Sequence, residues 1–278
     1  MKQRFKIVFM GTPDFSVPSL EALHTAGHDI VLVITRPDKP RGRGRKLDAP
    51  PVKKAAIRLK RPVMQPPSLR EDKILQILNE AAADFFVVVA FGHILTGTVL
   101  SMPRQGCINV HASLLPRYRG PAPIHWAVIN GEPESGVTTM MMDKGLDTGD
   151  ILMQAKEPVA PTDTAGALHD RLAKLGSSLI CETLDAFSEG TVRRISQEHS
   201  LATYAPLLKK TDGLIDWRKP ADKIEPFIRG MNPWPGAFTY WRNRRLKIFR
   251  AEAARMPAES SPGTILKGHA DELTVATG

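Results

Sequence analysis

The sequence predicts an α/β fold, with a Rossmann-like parallel sheet and its helices over about the first 190 residues and a small β-rich domain after them. Two observations support this prediction. Apolar runs of strand length alternate with helix-like segments as far as Gly190, and this alternation is typical of parallel sheets. Beyond Gly190, short strand-like segments are separated by turn residues, which indicates a separate, smaller unit.

The elements of the first domain follow one another in a regular order. The predicted strands are residues 6–10, 30–35, 85–90, 109–111, 136–142 and 151–155, and the predicted helices are residues 16–26, 68–82, 121–130 and 165–188. Ser68 and Glu71 form a capping-box pattern, which predicts that the second helix begins there. Residues 85–90 are apolar throughout, as expected of a strand that is buried on both faces.

The second domain is predicted to be a small β-barrel. Its predicted strands are residues 237–241, 246–251, 264–267 and 272–276, with turn residues Asn243, Pro262 and Gly268 between them. Four strands fit two explanations: the last is an unpaired edge, or the sequence stops short of a complete barrel. The predicted division is therefore a domain of residues 1–189, a linker of residues 190–206 and a domain of residues 207–278.

Length and charge limit the class of protein. The chain has 278 residues and a formal net charge of +9, which favours a polyanionic partner without identifying it. No run approaches the ~20 apolar residues of a membrane helix, and the amino terminus has no signal-peptide pattern. We therefore expect a soluble, cytoplasmic protein that acts as a monomer.

The two cysteines give no sign of a cross-link or a metal site. Cys107 and Cys181 have no CxxC spacing and no histidines at metal-binding intervals. We expect two buried, inert thiols and no metal.

A candidate catalytic group lies at the end of the fourth predicted strand. Side chains alternate along a strand, so Asn109 and His111 lie on the same face where the strand meets its loop. Asp147, in a glycine-flanked acidic loop, supplies a carboxylate that is expected to fix the tautomer of the imidazole and raise its basicity. Each residue alone has a structural explanation, such as a turn or a cap, but their joint appearance favours catalysis.

The order of these residues resembles a known signature. Asn-x-His-x-Ser-Leu-Leu-Pro at residues 109–116, followed by Asp-x-Gly-x-Asp-x-Gly at residues 143–149, resembles the signature of the formyltransferases that use 10-formyltetrahydrofolate. Within that family the whole chain, from residues 11–15 to residues 232–236, is similar to the members that act on charged initiator tRNA. The resemblance implies that the second domain is an OB-like barrel, a fold that commonly has five strands.

The resemblance also implies a reaction, in which a formyl group moves from 10-formyltetrahydrofolate to the α-amine of methionine on initiator tRNA. This chemistry needs donors for an oxyanion, a task suited to the Asn109 amide and to an N–H of His111. It also needs proton transfer, for which Asp147 with His111 is suited. The residues implied to border the folate are Phe91, Gly92, Ser113, Leu114, Leu115, Pro116 and Asp143. Ser113 has no evident base, so we expect it to shape the loop rather than to attack.

A basic segment follows the second predicted strand. Residues 36–46 carry six cations and one acid, interleaved with glycine and proline, so we expect an extended, mobile loop that is neither strand nor helix. It should emerge at the carboxyl edge of the sheet, where open α/β folds bind ligands. The resemblance implies that it enters the acceptor end of the tRNA, with Arg43 as the principal contact. The candidate tRNA-binding residues are Arg41, Arg43, Arg45 and Lys46. A weaker candidate phosphate track in the second domain consists of Lys209, Lys210, Arg242, Arg244, Arg245, Lys247 and Arg250.

Two alternatives remain open at this point. A formyltransferase for a nucleotide sugar or a purine precursor would keep the catalytic group but would not need the basic segment. An RNA-binding protein with a vestigial site would keep the basic segment without turnover. NAD binding is disfavoured, because residues 11–13 stand where a dinucleotide fingerprint would lie but contain no GxGxxG. His93, His125 and His169 lack catalytic companions, and we expect them to be surface or packing residues.

Overall fold

A computed structural model describes residues 3–41, 46–255, 260–268 and 272–278 of the chain. The chain divides into two compact units. Unit 1 consists of the described residues of Met1–Arg119, Gly136–Glu157 and Asp170–Tyr204. Unit 2 consists of those of Gly120–Ser135, Pro158–His169 and Ala205–Gly278.

Unit 1 is built around a single large sheet. The first nine strands of the chain are β1 (Lys6–Gly11), β2 (Asp29–Ile34), β3 (Lys39–Arg41), β4 (Lys46–Asp48), β5 (Val63–Met64), β6 (Phe85–Val89), β7 (Gly106–His111), β8 (Glu134–Met141) and β9 (Ile151–Pro158). In the described residues, seven of them form one sheet in the order β5-β2-β1-β6-β7-β8-β9. This is the predicted Rossmann-like α/β architecture.

The direction of β8 corrects the prediction of an all-parallel sheet. Strands β5, β2, β1, β6 and β7 pair in parallel, whereas β8 pairs antiparallel with β7. Six consecutive residues of β8 are buried, so this strand is covered on both faces as a parallel strand usually is. The apolar pattern reports which faces are buried and does not encode the direction of the chain.

Seven helices flank the strands in the described residues. They are α1 (Val17–Thr25), α2 (Pro51–Arg58), α3 (Asp72–Glu80), α4 (Gly97–Leu100), α5 (Pro123–Ile129), α6 (Ala165–Glu189) and α7 (Ala221–Gly230). The predicted capping box is wrong: α3 begins at Asp72, and the Ser68 hydroxyl accepts a hydrogen bond from Arg70 N at 3.1 Å, which forms a local turn. None of these helices is both long enough and apolar enough to span a membrane.

The core of unit 1 lies on both sides of β6, whose five residues are all buried, as predicted. On one side, the Phe85 ring packs edge-on against Phe5 and Phe187, with centroid distances of 5.1 and 4.8 Å. On the other side, Phe86 and Val88 belong to a large apolar cluster with residues of β1, β2 and α3. This burial fixes the central strands and therefore the edge at which they end.

The strand order creates a switch point between β1 and β6. From β1 the sheet grows outward through β2 on one side and through β6 and β7 on the other, so the strand order reverses between β1 and β6. Open α/β sheets bind ligands in this kind of crevice, at the carboxyl ends of the strands. The Thr12 hydroxyl, just after β1, donates to Phe91 O, just after β6, at 2.9 Å.

The basic segment forms a hairpin, which corrects the prediction that it is neither strand nor helix. β3 and β4 pair antiparallel, with Pro40 opposite Leu47. A two-stranded ladder leaves both outer edges unpaired, so it tolerates a proline that a central strand would exclude. The predicted residues Arg43 and Arg45 lie outside the described residues, and Arg41 and Lys46 are the paired positions next to them.

Unit 2 combines a helix pair with short antiparallel strands. α5 packs against α7, and Gly230 allows this approach, since a Cβ there would lie 2.4 Å from Ile129 Cγ1. The remaining strands are β10 (Ala237–Trp241), β11 (Arg244–Ile248), β12 (Ile265–Gly268) and β13 (Leu273–Val275), close to the four predicted. In the described part of unit 2 they form two separate pairs, β10–β11 and β12–β13.

An extended stretch of unit 2 links the two strand pairs. Ile215 N donates to Phe238 O in β10 at 2.8 Å, and Gly278 N, beyond β13, donates to Trp217 O at 3.0 Å. This stretch supplies a further extended segment beside the four short strands. The unit 2 core beneath it is apolar, with Ile215 packed among residues of α5 and α7.

The two cysteines differ in exposure. Cys107 is buried and Cys181 is only half-buried, so the prediction that both are buried is wrong for Cys181. Burial raises the pKa of Cys107 to about 12 and that of Cys181 to about 11. Both thiols are therefore protonated and weakly reactive at neutral pH.

Candidate active site

β7 carries Asn109 and His111 into the middle of the sheet. Asn109 is paired with Val88 of β6, and His111 with Thr138 of β8. Neighbours on both sides hold this backbone rigidly. The two side chains lie on one face, as their spacing predicts, and His111 is only 6% exposed.

Asp147 meets both of these side chains. It lies in the loop between β8 and β9 and has a left-handed backbone conformation, with φ of 53°. One carboxylate oxygen, Oδ1, is 3.5 Å from Asn109 Nδ2, and the other, Oδ2, is 3.8 Å from His111 Nδ1. The structure thus brings together all three predicted catalytic residues. Both distances exceed those of strong hydrogen bonds, and catalytic contacts often tighten only when substrate binds.

The backbone of Tyr118 fixes the tautomer of His111. His111 Nε2 is 2.9 Å from Tyr118 O, and a carbonyl oxygen can only accept, so Nε2 carries the hydrogen. In the neutral ring the lone pair is then on Nδ1, which faces Asp147. The sequence assigned the fixing of the tautomer to Asp147, whereas the hydrogen bond that does so comes from Tyr118.

With this geometry, His111 and Asp147 are suited to proton transfer. Nδ1 of the neutral imidazole can accept one, and the imidazolium then places a new N–H toward the Asp147 carboxylate, which stabilises the positive charge. The Asn109 amide offers a neutral donor beside the same point. In the part of the chain that the structure describes, no group of three or more His, Cys, Asp or Glu side chains is arranged to hold a metal ion.

The acidic loop is shaped by its own side chains and glycines. Asp143 Oδ1 accepts from Gly145 N at 2.9 Å and from the Thr148 hydroxyl at 2.7 Å, so the Asx turn considered for Asp147 is found at Asp143. A Cβ at Gly149 would lie 1.7 Å from Met141 O, so only glycine allows the loop to pass this closely over β8.

Residues 113–116 form a closed turn rather than an open set of backbone donors. The Ser113 hydroxyl donates to Arg117 O at 2.6 Å, a shaping role that leaves no sign of a nucleophile. Leu115 N donates to the Thr138 hydroxyl at 3.1 Å, and Leu115 O accepts from Gln154 Nε2 at 2.9 Å. Both polar backbone atoms of Leu115 are therefore bonded within the protein.

The turn after β6 is held by an arginine of the basic segment. Phe91 is buried in the core, whereas Gly92 is exposed with φ of 78°. Arg36 Nη1 donates to Gly92 O at 3.0 Å, so this one of the six predicted cations stabilises a turn. The His93 ring packs against Phe91 at 5.1 Å, and burial lowers its pKa with help from the charges of Arg36 and Lys39.

His125, which lies in unit 2, also packs against an aromatic ring. The His125 ring lies edge-on to Trp234 at 6.3 Å, and burial lowers the pKa of His125. This agrees with the expectation of a packing residue.

Four residues around the site were missed by sequence reasoning. They are Tyr118, Arg119, Gln197 and Thr203, which hold the site by hydrogen bonds that involve the backbone and by the side-chain bond between Arg119 and Gln197. Tyr118 and Arg119 follow directly after the signature at residues 109–116, and this position was a usable signal. Gln197 and Thr203 lie in the predicted linker, where no pattern marks them.

Comparison with known proteins agrees with the motif. A family model described as "Formyl transferase" matches residues 5–184. The chain belongs to the formyl transferase family. A second model of that family, "Formyl transferase, C-terminal domain", matches residues 207–278. The resemblance to formyltransferases in the sequence is thereby confirmed.

Relatives within the formyl transferase family are similar over nearly the whole chain. The methionyl-tRNA formyltransferase of Desulforamulus reducens is 50% identical over 273 residues, which cover 98% of this chain and 86% of the relative. That of Desulfotalea psychrophila is 48% identical over 277 residues, covering 100% and 86%. A solved N-formyltransferase of Helicobacter canadensis, in complex with folinic acid and dTDP-3-aminofucose, superposes with a TM-score of 0.70 at 20% identity, covering 98% of this chain and 95% of that one. This last likeness concerns the fold.

Proposed function

We propose that the chain transfers a formyl group from 10-formyltetrahydrofolate to the α-amino group of methionine on initiator tRNA. The observation that carries this proposal is the convergence of Asn109, His111 and Asp147, with both oxygens of one carboxylate directed at an amide and an imidazole. Relatives about half identical to the chain are named methionyl-tRNA formyltransferase, and this name supplies the acceptor. The enzyme would need no metal.

The proposed catalytic roles follow from which atoms can donate and which can accept. When bound, 10-formyltetrahydrofolate supplies the electrophilic formyl carbon. Asn109 Nδ2 donates to the oxygen that becomes negative when the amine adds, and loss of one such donor typically slows a reaction about a hundredfold or more. His111 Nδ1 accepts the proton that the attacking amine releases, because Nε2–H is already donated to Tyr118 O. His111 then returns that proton to the departing folate nitrogen.

Asp147 stabilises His111 while it holds the proton. Its carboxylate lies 3.8 Å from Nδ1, which makes a charged pair only when the ring is protonated. A His111 N–H reaches an oxyanion only from Nδ1 and therefore only in the imidazolium form. We thus retain His111 as a second oxyanion donor for that form alone.

The folate is proposed to lie against a group of seven residues in unit 1. We propose that Phe91, Gly92, Ser113, Leu114, Leu115, Pro116 and Asp143 border it. Because the polar backbone atoms of Leu115 are used internally, residues 113–116 contribute mainly an apolar wall through Leu114 and Pro116, both half-buried. Gly92 contributes an exposed turn with no side chain to obstruct the ring.

The RNA is proposed to bind through cations on both units. In unit 1 these are Arg41, Arg43, Arg45 and Lys46 of the basic hairpin. In unit 2, Arg244 to Lys247 of β11 are all exposed, so the strand presents its cations to solvent on both faces. We further propose that residues 1–189 form the catalytic domain, that residues 207–278 form the tRNA-binding domain, and that the protein works as a cytoplasmic monomer.

The deciding experiment is a formylation assay with matched acceptors. Wild-type protein and 10-formyltetrahydrofolate are incubated with methionyl initiator tRNA, methionyl elongator tRNA, an amino-sugar nucleotide and glycinamide ribonucleotide. We expect turnover on the initiator tRNA and little on the others. Faster turnover on a small amine would indicate the small-molecule class, and tight tRNA binding without turnover would indicate a vestigial site.

A hairpin deletion tests the RNA contact separately. Replacing residues 41–46 with a two-residue turn should raise KM for the tRNA while leaving the fold of unit 1 intact. Undiminished activity on tRNA after this deletion would remove the hairpin from the interface.

A further inference from the structure

A segment of the predicted linker contacts both the loop that carries Asp147 and the turn that orients His111. We call residues 195–204 the strap. At its start, Ile195 and Ile151 exchange backbone hydrogen bonds of 2.8 and 2.9 Å, which attach the strap to the beginning of β9. Everything that follows concerns unit 1 alone.

The first contact of the strap is with the loop that carries Asp147. Gln197 is 6% exposed, and its Nε2 donates to Asp147 O at 2.9 Å and to Gly149 O at 2.8 Å. Both hydrogens of the amide are therefore used on this loop. Asp147 itself has a left-handed backbone, which a non-glycine residue adopts at a cost unless its surroundings hold it. Gln197 supplies that hold from outside the loop.

Arg119 fixes the orientation of the Gln197 amide. Its Nε and Nη2 donate to Gln197 Oε1 at 3.1 and 2.7 Å, and Nη2 also lies 3.2 Å from His199 Nδ1. Arg119 is 3% exposed, and a buried guanidinium is stable only when its N–H groups are bonded. A flipped amide would place N–H against N–H and oxygen against two carbonyls, so only one orientation is favourable.

The second contact of the strap is with the turn that orients His111. Thr203 Oγ1 accepts from Tyr118 N at 2.8 Å, and Thr203 O accepts from Arg119 N at 2.8 Å. Tyr118 O in turn accepts from His111 Nε2. Tyr118 has a φ of 59°, so this turn also needs external support.

We propose that Gln197 and Thr203, coupled through Arg119, are positioning residues that set the distance between Asp147 and His111. Gln197 sets the carboxylate through the Asp147 backbone, and Thr203 sets the imidazole through Tyr118. The inference rests on the proposed roles of His111 and Asp147. It assigns a task in catalysis to a stretch that the sequence indicates only as a connection.

The main test is Gln197→Glu. This isosteric change keeps an oxygen for Arg119 but places a second oxygen against the carbonyls of Asp147 and Gly149, which should push the loop away. We expect kcat for methionyl-tRNA to fall about 10- to 100-fold, because small misplacements of catalytic groups have effects of this size. KM for tRNA and for the folate should change less than twofold, because neither binding surface is altered.

A neighbouring variant and a coupled variant separate positioning from general stability. Ser196 lies in the same strap, and its hydroxyl donates an exposed hydrogen bond to Asp150. Ser196→Ala removes this bond and should leave kcat unchanged. In an Asp147→Ala background, Gln197→Glu should cause no further fall in kcat, because the group that it positions is already gone. A purely structural role would lower activity in both backgrounds.

The second contact is tested by a conservative pair. Thr203→Ser keeps the acceptor for Tyr118 N and should keep kcat, whereas Thr203→Val removes it and should lower kcat. If Gln197→Glu fails to fold, as judged by its thermal unfolding, this pair and the milder Arg119→Lys carry the test.

The outcomes separate the two proposals. A wild-type protein that formylates methionyl-tRNA and a folded Gln197→Glu with the same kcat would overturn the positioning role alone. Additive losses in the Asp147→Ala background would also overturn it. A wild-type protein with no formylation activity would instead overturn the proposed function.

Discussion

The loop that carries Asp147 and the basic hairpin β3–β4 both leave the sheet at strand ends in unit 1, but they are held differently. The Asp147 loop is tied by Gln197, a buried amide that bonds backbone oxygens. The hairpin is tied at its base by two ion pairs near the surface, the half-buried Lys53–Asp38 at 2.8 Å and the more exposed Lys54–Asp48 at 2.6 Å. Chemistry needs atoms fixed within a fraction of an ångström, whereas attraction of a phosphate backbone needs mainly charge.

The difference extends to what surrounds each feature. Around His111 the buried Thr138 hydroxyl donates to the buried Ser113 carbonyl and accepts from Gln154, which reaches in from the surface. At the hairpin base, Gln65 Nε2 donates to Asp38 and to Arg36 O, close to solvent. Substitutions at the first place should therefore alter turnover or folding, and substitutions at the second should alter binding.

The largest expected effect is on the catalytic group. His111→Ala and Asp147→Ala should each lower kcat by about 10²- to 10⁴-fold, the range typical for loss of a positioned acid or base. Folding and tRNA affinity should stay close to those of the wild type. Single-turnover formylation with saturating tRNA measures the rate of formyl transfer, and circular dichroism measures folding. A kcat within threefold of wild type would remove the residue from the mechanism.

The second-largest effect is expected at Thr138, which supports the turn of residues 113–116. Thr138→Val removes a buried hydroxyl that bonds Ser113 O, Leu115 N and Gln154 Nε2. Leaving such groups unsatisfied costs about 1–3 kcal/mol of unfolding free energy. Denaturant unfolding provides the measurement. Thr139→Val is the matched control on the same strand, since its hydroxyl bonds only Thr183 among the described residues and should cost less.

A smaller effect is expected for Arg43, in the sequence between β3 and β4. Arg43→Ala should weaken tRNA binding and reduce the slope of log affinity against log salt by up to about one phosphate contact. kcat at saturating tRNA should be unchanged. Arg104→Ala, an exposed arginine elsewhere in unit 1, makes the same change in net charge and is the control. An equal loss of affinity in both variants would indicate a general charge effect rather than a contact made by Arg43.

The smallest effect is expected at the hairpin base. Hydrogen bonds from Lys53 and Gln65 hold the pKa of Asp38 below its usual value of 3.8. The stabilising contribution of this ion pair is therefore present above pH 3.8 and is lost as the pH falls through the lowered pKa. Lys53→Met should raise the pKa of Asp38 with only a small loss of thermal stability, because solvent at the surface partly screens this half-buried pair. NMR titration of the Asp38 carboxyl measures it, and an unmoved pKa would show that Lys53 is not its main partner.

The sequence predicted what side-chain patterns encode. The apolar run of β6 predicts a strand buried on both faces, and the spacing of Asn109 and His111 predicts that they share a face. The glycine-flanked acidic loop predicts the approach of Asp147. Each is a local or periodic property that does not depend on distant parts of the chain.

The remaining features depend on contacts that no local pattern records. The direction of β8, the ladder of the basic hairpin and the bond of Arg36 to Gly92 are set by tertiary pairing. The tautomer of His111 is fixed by a backbone carbonyl, which every residue possesses and which therefore has no signature in the sequence. Gln197 has no signature in the sequence for the same reason, because its side-chain N–H groups bond backbone oxygens.

Because of the steric limit at Gly149, the positions of the acidic loop differ in how well they tolerate substitution. Two positions before it in the loop comes Asp147, and at the tip Leu146 is 55% exposed. A library that randomises this loop should therefore retain glycine at 149 and accept many residues at 146. Selection for activity on new acceptor amines can then change residue 146 while the Asp147 carboxylate keeps its position.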